Sequence, residues 1–127
     1  MMPVVTFKGT KIAEEKRDRI AERAYRALVN TLRIPHIELF FDEYDAVYSC
    51  GKKQIAFACT DCVIEGPELE AERFSALTSE LMGIFRDVLE QPDFGLTAVY
   101  HVNDGAHVSL NGKTLEQRRA EAGEMQK

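Results

Sequence analysis

The chain has 127 residues, a length typical of one domain with a single hydrophobic core. Its 16 basic and 21 acidic residues give a net charge of −5, and an acidic domain repels phosphate backbones. The apolar runs are too short to span a bilayer, and the N-terminus lacks the basic-then-apolar layout of a signal peptide. We therefore expect a cytoplasmic protein that binds neither nucleic acid nor membranes.

The first half of the chain predicts a strand, a helix and a second strand. Residues 3–8 are a β-rich run that starts at Pro3, and proline is tolerated at the first position of a strand. Thr10 is expected to cap the following helix, which should end before Pro35. Residues 37–42 alternate between the two faces of a second strand. The helix has an apolar stripe at four-residue spacing, formed by Ile20, Ala24, Leu28 and Leu32.

The second half of the chain repeats this order. Residues 55–64 are mostly apolar on both faces, which favours a strand buried in the sheet. Pro67 is expected in the first turn of a second helix, where its missing N–H is tolerated, and this helix should end before Pro92. Residues 96–102 are predicted to form the fourth strand.

The C-terminal residues carry two local signals. Asn111-Gly112 is a strong signal for a tight turn. The residues from Thr114 to Gln117 fit a capping box, which predicts the start of a helix. The sequence thus predicts one domain over residues 1–115 and a charged tail over 116–127 that begins as a short helix.

The element order, β-α-β followed by β-α-β, suggests duplicated units in one sheet, with a period of roughly 50 residues. The fold class is therefore α/β (α+β). A ferredoxin-like sandwich has the same order but pairs its strands differently. Parallel neighbours within each half would indicate two joined β-α-β units, whereas purely antiparallel pairing would indicate the sandwich.

Four features resemble the tautomerase superfamily. A strand begins at Pro3 directly after Met2, and a loop joins the second and third strands. Residues 56–64 resemble the third strand of the macrophage-migration-inhibitory-factor type in their spacing from the proline. Residues 99–115 resemble the closing strand and turn of that type. The resemblance is at least as good to a bacterial branch of the superfamily, and it implies a homotrimer that uses no cofactor and has its active sites near subunit boundaries.

The resemblance also implies that Pro3 is the catalytic base, provided that its nitrogen is the free amino terminus. A secondary amine that is buried near a cation loses affinity for its proton, and it can then take a proton from a carbon beside a carbonyl. The implied activity is keto–enol tautomerisation or isomerisation of a small 2-oxo acid. If Met2 remains attached, Pro3 is an amide without basicity, and the alternative is a non-catalytic homotrimer with a binding or assembly role.

The resemblance suggests four further site residues. Arg33 is close to a position where the family places a substrate-binding lysine, so it is the expected carboxylate clamp. Ile64 matches a position in the apolar wall of the pocket. Thr97 and Val99 fall where the family has a tyrosine and an asparagine near the ligand, and neither keeps that chemistry.

The cysteines and histidines predict no metal site. Cys59 and Cys62 are three residues apart on a strand and therefore point to opposite faces, so their thiols cannot converge on one ion. Small buried hydrophobic side chains are the better interpretation of this pair, and the three cysteines of the chain are expected to be reduced. The three histidines, His36, His101 and His107, lack the spacing of metal ligands.

Overall fold

A computed structural model describes residues 3–53 and 59–125 of the chain. The helices and strands in chain order are β1 (Val4–Thr10), α1 (Glu14–Leu32), β2 (Glu38–Tyr44), β3 (Tyr48–Ser49), β4 (Lys52–Lys53), β5 (Cys59–Gly66), α2 (Ala71–Leu89), β6 (Thr97–Val102), β7 (Ser109–Leu110), β8 (Lys113–Thr114) and α3 (Leu115–Met125).

The pairing of the strands identifies the fold. The main sheet has the order β2-β1-β5-β6. The strands are parallel within each half, β1 with β2 and β5 with β6, while β1 and β5 are antiparallel and join the two halves. The expectation of two β-α-β units in one sheet is confirmed, and the mixed pairing excludes the ferredoxin-like sandwich.

The two faces of this sheet differ in what covers them. On one face, Val5, Phe7 and Ile64 are buried in a common core with the apolar residues of α1 and α2. The rings of Phe7 and Phe85 meet edge-on with centroids 5.0 Å apart. On the opposite face, which we call the open face, Phe40 and Val99 are about half exposed, at 50% and 47%. Strand alternation thus separates a packed face from an uncovered one.

The first helix has the predicted apolar stripe but a different start. Its buried residues include all four members of the predicted stripe. The expectation that Thr10 caps α1 was wrong, because Thr10 is the last residue of β1, where it pairs with Tyr44. The intervening turn is instead tied to β2, since the Ile12 N–H donates to Glu43 Oε2 at 2.8 Å. The helix therefore begins only at Glu14.

The second helix also starts later than the sequence suggests. Pro67 was expected in its first turn, and this was wrong, because α2 begins at Ala71. The β5–β6 ladder holds the chain back, since the Asn103 N–H donates to the carbonyl of Gly66 at 2.7 Å. The hydroxyl of Tyr100 donates to the carbonyl of Pro67. These two hydrogen bonds, from the Asn103 N–H and from the Tyr100 hydroxyl, hold the chain at the end of the sheet before α2 begins.

The third predicted strand is only partly described. Residues 54–58 lie outside the described residues, and β5 runs from Cys59 to Gly66. It lies inside the sheet, between β1 and β6. The expected position inside the sheet is confirmed for the described part, although only one face is buried there, since Cys62 is buried while Asp61 is exposed.

The C-terminal residues form a hairpin and a helix. Asn111 and Gly112 have φ angles of 53° and 85°, the left-handed conformation that a tight hairpin turn requires. The N–H of Thr114 donates to Gln117 Oε1 at 2.8 Å, and the N–H of Gln117 donates to Thr114 Oγ1 at 3.0 Å. This reciprocal pair is a capping box, and α3 follows it directly. Among the described residues, no helix is long and apolar enough to cross a membrane.

We predict that Glu43→Gln makes the fold less stable at neutral pH. Burial favours the neutral form of Glu43, but the Ile12 N–H and Arg17 bond its carboxylate, and the net effect lowers the pKa below the ordinary value of 4.5. A carboxylate with a lowered pKa contributes stability above its unfolded pKa, and this contribution is lost as the pH falls through the folded value. Urea unfolding should therefore show a deficit for the variant at pH 7 that narrows below pH 4.5. An equal deficit at pH 7 and pH 3 would contradict the charge-based explanation.

Candidate functional site

Pro3 lies immediately before β1, at one end of the sheet. Its carbonyl accepts a hydrogen bond from the Glu38 N–H at 3.1 Å, so parallel pairing with β2 already begins there. Less than 2% of its side chain is exposed. The antiparallel register of Val4 with Glu65 brings the next residue, Gly66, beside Pro3. The pyrrolidine ring is therefore held in an apolar setting by both neighbouring strands.

Tyr100 fills the space next to Pro3 and Gly66. A Cβ atom on Gly66 would lie 2.8 Å from the Tyr100 hydroxyl and 3.6 Å from Pro3 Cβ. The ring of Tyr100 packs edge-on against Phe74 with centroids 5.5 Å apart. Burial raises the pKa of Tyr100 above 10.0, so its phenol stays protonated near neutral pH. Pro3, Gly66 and Tyr100 are thus brought together by three different strands.

Sequence reasoning missed Tyr100, although strand alternation could have identified it. The two positions suggested on β6, Thr97 and Val99, have the same parity and point to the open face, where both are exposed. Tyr100 has the opposite parity and is the register partner of Ile64, whose side chain is fully buried. The face that carries the Pro3 ring therefore receives Tyr100 from β6.

Two arginines lie at the Pro3 end of the molecule. Arg33 follows α1 in the left-handed conformation, with φ of 60°, and it lines a shallow groove with Val29, Asn30 and Pro35. Arg73, in the first turn of α2, donates to the carbonyl of Thr31 and thereby joins the start of α2 to the end of α1. Among the described residues, Pro3 does not line the groove of Arg33.

The remaining suggested residues do not surround Pro3 within one chain. Ile64 is buried in the core, with 0% of its surface accessible, and it pairs in register with Val5, two positions inward from Pro3. Val99 lies across the open face, on the other side of the sheet. Thr97 is at the far end of β6, opposite Asp61. A single chain thus brings Pro3 together with Tyr100 but not with these residues.

The described part of the chain offers no metal centre. No group of three or more histidine, cysteine or acidic side chains there could hold an ion. Burial raises the pKa of the Cys62 thiol to about 12, which keeps it protonated and unreactive. His107 is held by Asp104 in the loop after β6, with Nδ1 2.7 Å from the carboxylate, and the side chain of Cys59 lies outside the described residues.

Comparisons with known proteins identify the fold. The sequence matches no protein-family model and no curated protein, but similar solved structures exist. Pt0534, in a structure inactivated by 2-oxo-3-pentynoate, shares 14% identity at a TM-score of 0.73, covering 91% of this chain and 98% of that one. N1, a member of the cis-3-chloroacrylic acid dehalogenase family, shares 17% identity at 0.68, covering 99% and 91%. A fused 4-OT, solved as a wild-type symmetric trimer, shares 14% identity at 0.70, covering 93% and 98%.

Two β-α-β units that share a sheet through an antiparallel central pair define a duplicated α+β class of protein. Within that class, the chain has the tautomerase fold of the macrophage-migration-inhibitory-factor type. MIF2 of Leishmania major has this fold as well, at 15% identity and a TM-score of 0.71, covering 89% of this chain and 97% of that one. The fold suggested by the sequence resemblance is confirmed.

We predict that Gly66→Ala destabilises the protein by about 1–3 kcal/mol, the usual cost of overpacking. The added Cβ would lie 2.8 Å from a hydroxyl that is tied to the carbonyl of Pro67. Tyr100→Phe removes that hydroxyl, so the double variant should lose less stability than the two single changes added together. Urea unfolding measures all three.

Gly83→Ala is the matched control for this prediction. Gly83 lies within α2, and nothing is within 4 Å of a Cβ built there. Alanine in an exposed helix position is more favourable than glycine by about 1 kcal/mol, so this variant should be stabilised. If the losses of stability from Gly66→Ala and Tyr100→Phe simply add in the double variant, the Tyr100 hydroxyl is not the group that the new Cβ meets.

Proposed function

We propose that the protein is a cofactor-independent tautomerase or isomerase of a small 2-oxo acid, with Pro3 as the base. The observation that carries this proposal is the position of Pro3, buried at the start of β1 beside Gly66 and Tyr100. The reaction moves one proton. The Pro3 nitrogen takes it from a carbon next to the 2-oxo group, an enol or enolate forms, and the proton returns at another carbon or at oxygen.

The surroundings of Pro3 support its use as a base only in a chain that begins at residue 3. With Met2 attached, the nitrogen is an amide and cannot accept a proton. As a free amine, it would be desolvated by the same packing that buries the ring, and burial disfavours the ammonium form. The cations of Arg33 and Arg73 at the same end of the molecule would disfavour a further positive charge. Both effects would lower the pKa of the amine.

We assign Tyr100 a positioning role in this site. Its hydroxyl donates to the carbonyl of Pro67 and lies 2.8 Å from the place that a Cβ on Gly66 would take, next to Pro3. The phenol therefore fixes the distance between the end of β5 and the start of β1. A site that depends on a small reactive ring benefits from such restraint, because small misplacements of catalytic groups are costly in rate.

The substrate contacts of the proposal come from two sources. Arg33 would hold the substrate carboxylate, since guanidinium groups bind carboxylates with two parallel hydrogen bonds. Ile64 would support the apolar wall from beneath, through its contact with the core. Thr97 and Val99 would act on a neighbouring copy, because in their own chain they face away from Pro3.

The same proposal includes a homotrimer assembled through the open face. That face exposes large apolar side chains, including Phe40, Tyr44 and Val99, and exposed apolar patches usually mark interaction surfaces. The similar fused 4-OT structures that are symmetric trimers support this choice of partner. A trimer would also bring Thr97 and Val99 of one copy towards another.

The first test uses a chain that begins at Pro3. We expect it to be labelled by 2-oxo-3-pentynoate, because the free amine can add to the conjugated triple bond while its proton moves to the neighbouring carbon. Mass spectrometry should then show one added reagent molecule, located at residue 3. The same chain should tautomerise a small enolisable 2-oxo acid, and Pro3→Ala should reduce that rate by about 10²-fold or more.

The matched control keeps Met2 attached, so that residue 3 is an amide in an otherwise identical chain, and it should be neither labelled at Pro3 nor active. Full activity of Pro3→Ala would rule out the proposed base. A Pro3-initiated chain that assembles but shows no labelling and no turnover would favour the second candidate function, a non-catalytic homotrimer. The open face supports that candidate equally well.

The assembly is tested separately by Val99→Lys. A charge among the exposed apolar side chains of the open face, here on edge strand β6, should convert trimers to monomers in sedimentation velocity experiments, because an unpaired buried charge is strongly unfavourable. Val102→Lys is the control, as Val102 is exposed on the same strand but has the opposite parity. If Val99→Lys leaves the sedimentation coefficient unchanged, the open face is not the interface.

A further inference from the structure

Two charged rows cross the open face on either side of its apolar centre. The strand register defines the first, the lysine row, which contains Asp42, Lys8, Asp61 and Thr97. The second, the histidine row, contains Glu38, Val4, Glu65 and His101. The apolar row between them contains Phe40, Thr6, Val63 and Val99. The two charged rows therefore share one layout, since each has one carboxylate on β2 and another on β5.

The charged rows differ in what stands between and beside those carboxylates. In the lysine row, Lys8 pairs in register with both Asp42 and Asp61, so a permanent cation lies between the two acids. In the histidine row, the corresponding β1 position is Val4. The cations of the row itself are imidazoles instead, while Arg33 and Arg73 lie at the same end of the molecule in the helix layer. His101 Nδ1 is 4.0 Å from Glu65, and His36 Nε2 is 3.7 Å from Glu38.

Lys8 is too far away to compensate the histidine row. The two charged rows are four residues apart along each strand, about 13 Å at the usual rise of a strand. This exceeds the screening length of about 8 Å at physiological ionic strength. On the open face, the groups next to the two histidines are Glu65 on β5, Glu38 on β2 and the apolar Val4 and Val99. Helices α1 and α2 pack on the other face of the sheet.

We propose that protonation of His36 and His101 tightens the assembly of copies through the open face, which makes assembly pH-dependent. This inference rests on the homotrimer of the proposed function. Imidazole side chains change charge between about pH 5 and pH 8. Above this range, the histidine row brings two negative charges and no positive one into the contact between copies, and desolvated like charges repel. Below it, each carboxylate has a cationic neighbour, as in the lysine row.

The test measures self-association of the full chain by sedimentation at pH 8 and at pH 6. We expect the apparent dissociation constant to fall about tenfold or more on going to pH 6, because each copy gains two ion pairs. Raising the salt concentration at pH 8 should also tighten assembly, since salt screens the repulsion. Where dissociation is too weak to detect, exchange between labelled and unlabelled copies should be slower at pH 6.

Three variants separate this mechanism from other effects of pH. His36→Gln with His101→Gln should remove the shift and hold the protein at its weaker pH 8 affinity. His36→Lys with His101→Lys should give tight assembly at both pH values. His107→Gln changes the third histidine of the chain, which is bonded to Asp104 outside the two rows, and it should keep the full shift.

The outcomes distinguish the inference from the proposed function. Assembly with the same affinity at pH 8 and pH 6, or a full shift retained in the double glutamine variant, would overturn the inference while leaving the trimer intact. A chain that is monomeric at both pH values would overturn the trimer and the inference together. A shift that is lost in the double glutamine variant and kept in His107→Gln supports the inference.

Discussion

The antiparallel pairing of β1 with β5 is the interaction on which the rest of the structure depends. It is the only contact in the main sheet between the two β-α-β halves of the described chain, and it decides which ends of the strands meet. Because the register joins Val4 to Glu65, the start of β1 meets the end of β5. Pro3, Gly66 and Tyr100 come together for that reason, and so do the last turn of α1 and the first turn of α2. A parallel pairing would have placed Pro3 at the opposite end from Gly66, Tyr100 and the first turn of α2.

Strand alternation then divides the chemistry of the molecule between two faces. The packed face carries the Pro3 ring and Tyr100, while the open face carries Thr97, Val99 and the two charged rows. A substrate bound at Pro3 can therefore meet open-face residues only if they belong to another copy. The proposed site and the proposed assembly would therefore both follow from the same period of two residues along the strands.

The sequence predicts what depends on local pattern and misses what depends on distant contacts. The helical stripe of α1, the turn at Asn111 and the capping box at Thr114 are encoded by neighbouring residues, and each forms as expected. The two helix starts were wrong because the chain there is held by side chains far away in sequence, Glu43 in one case and Tyr100 in the other. Strand alternation assigns Tyr100 to the packed face, but the approach of its hydroxyl to Gly66 depends on the register and was missed for the same reason.

The position of the histidine row links assembly to the proposed chemistry. Val4 is the residue after Pro3, and its register partners are Glu38 and Glu65. Although their side chains lie on the open face, carboxylates at the neighbouring register position would act through space on a free Pro3 amine and favour its protonated form, which would oppose the effects of burial and of the two arginines. Protonated His36 and His101 would offset those carboxylates, as would burial of the row between copies, which weakens their ionised form. The charge that resists assembly is therefore the same charge that would keep the base protonated, so a trimer that closes over this row also favours a neutral, reactive Pro3.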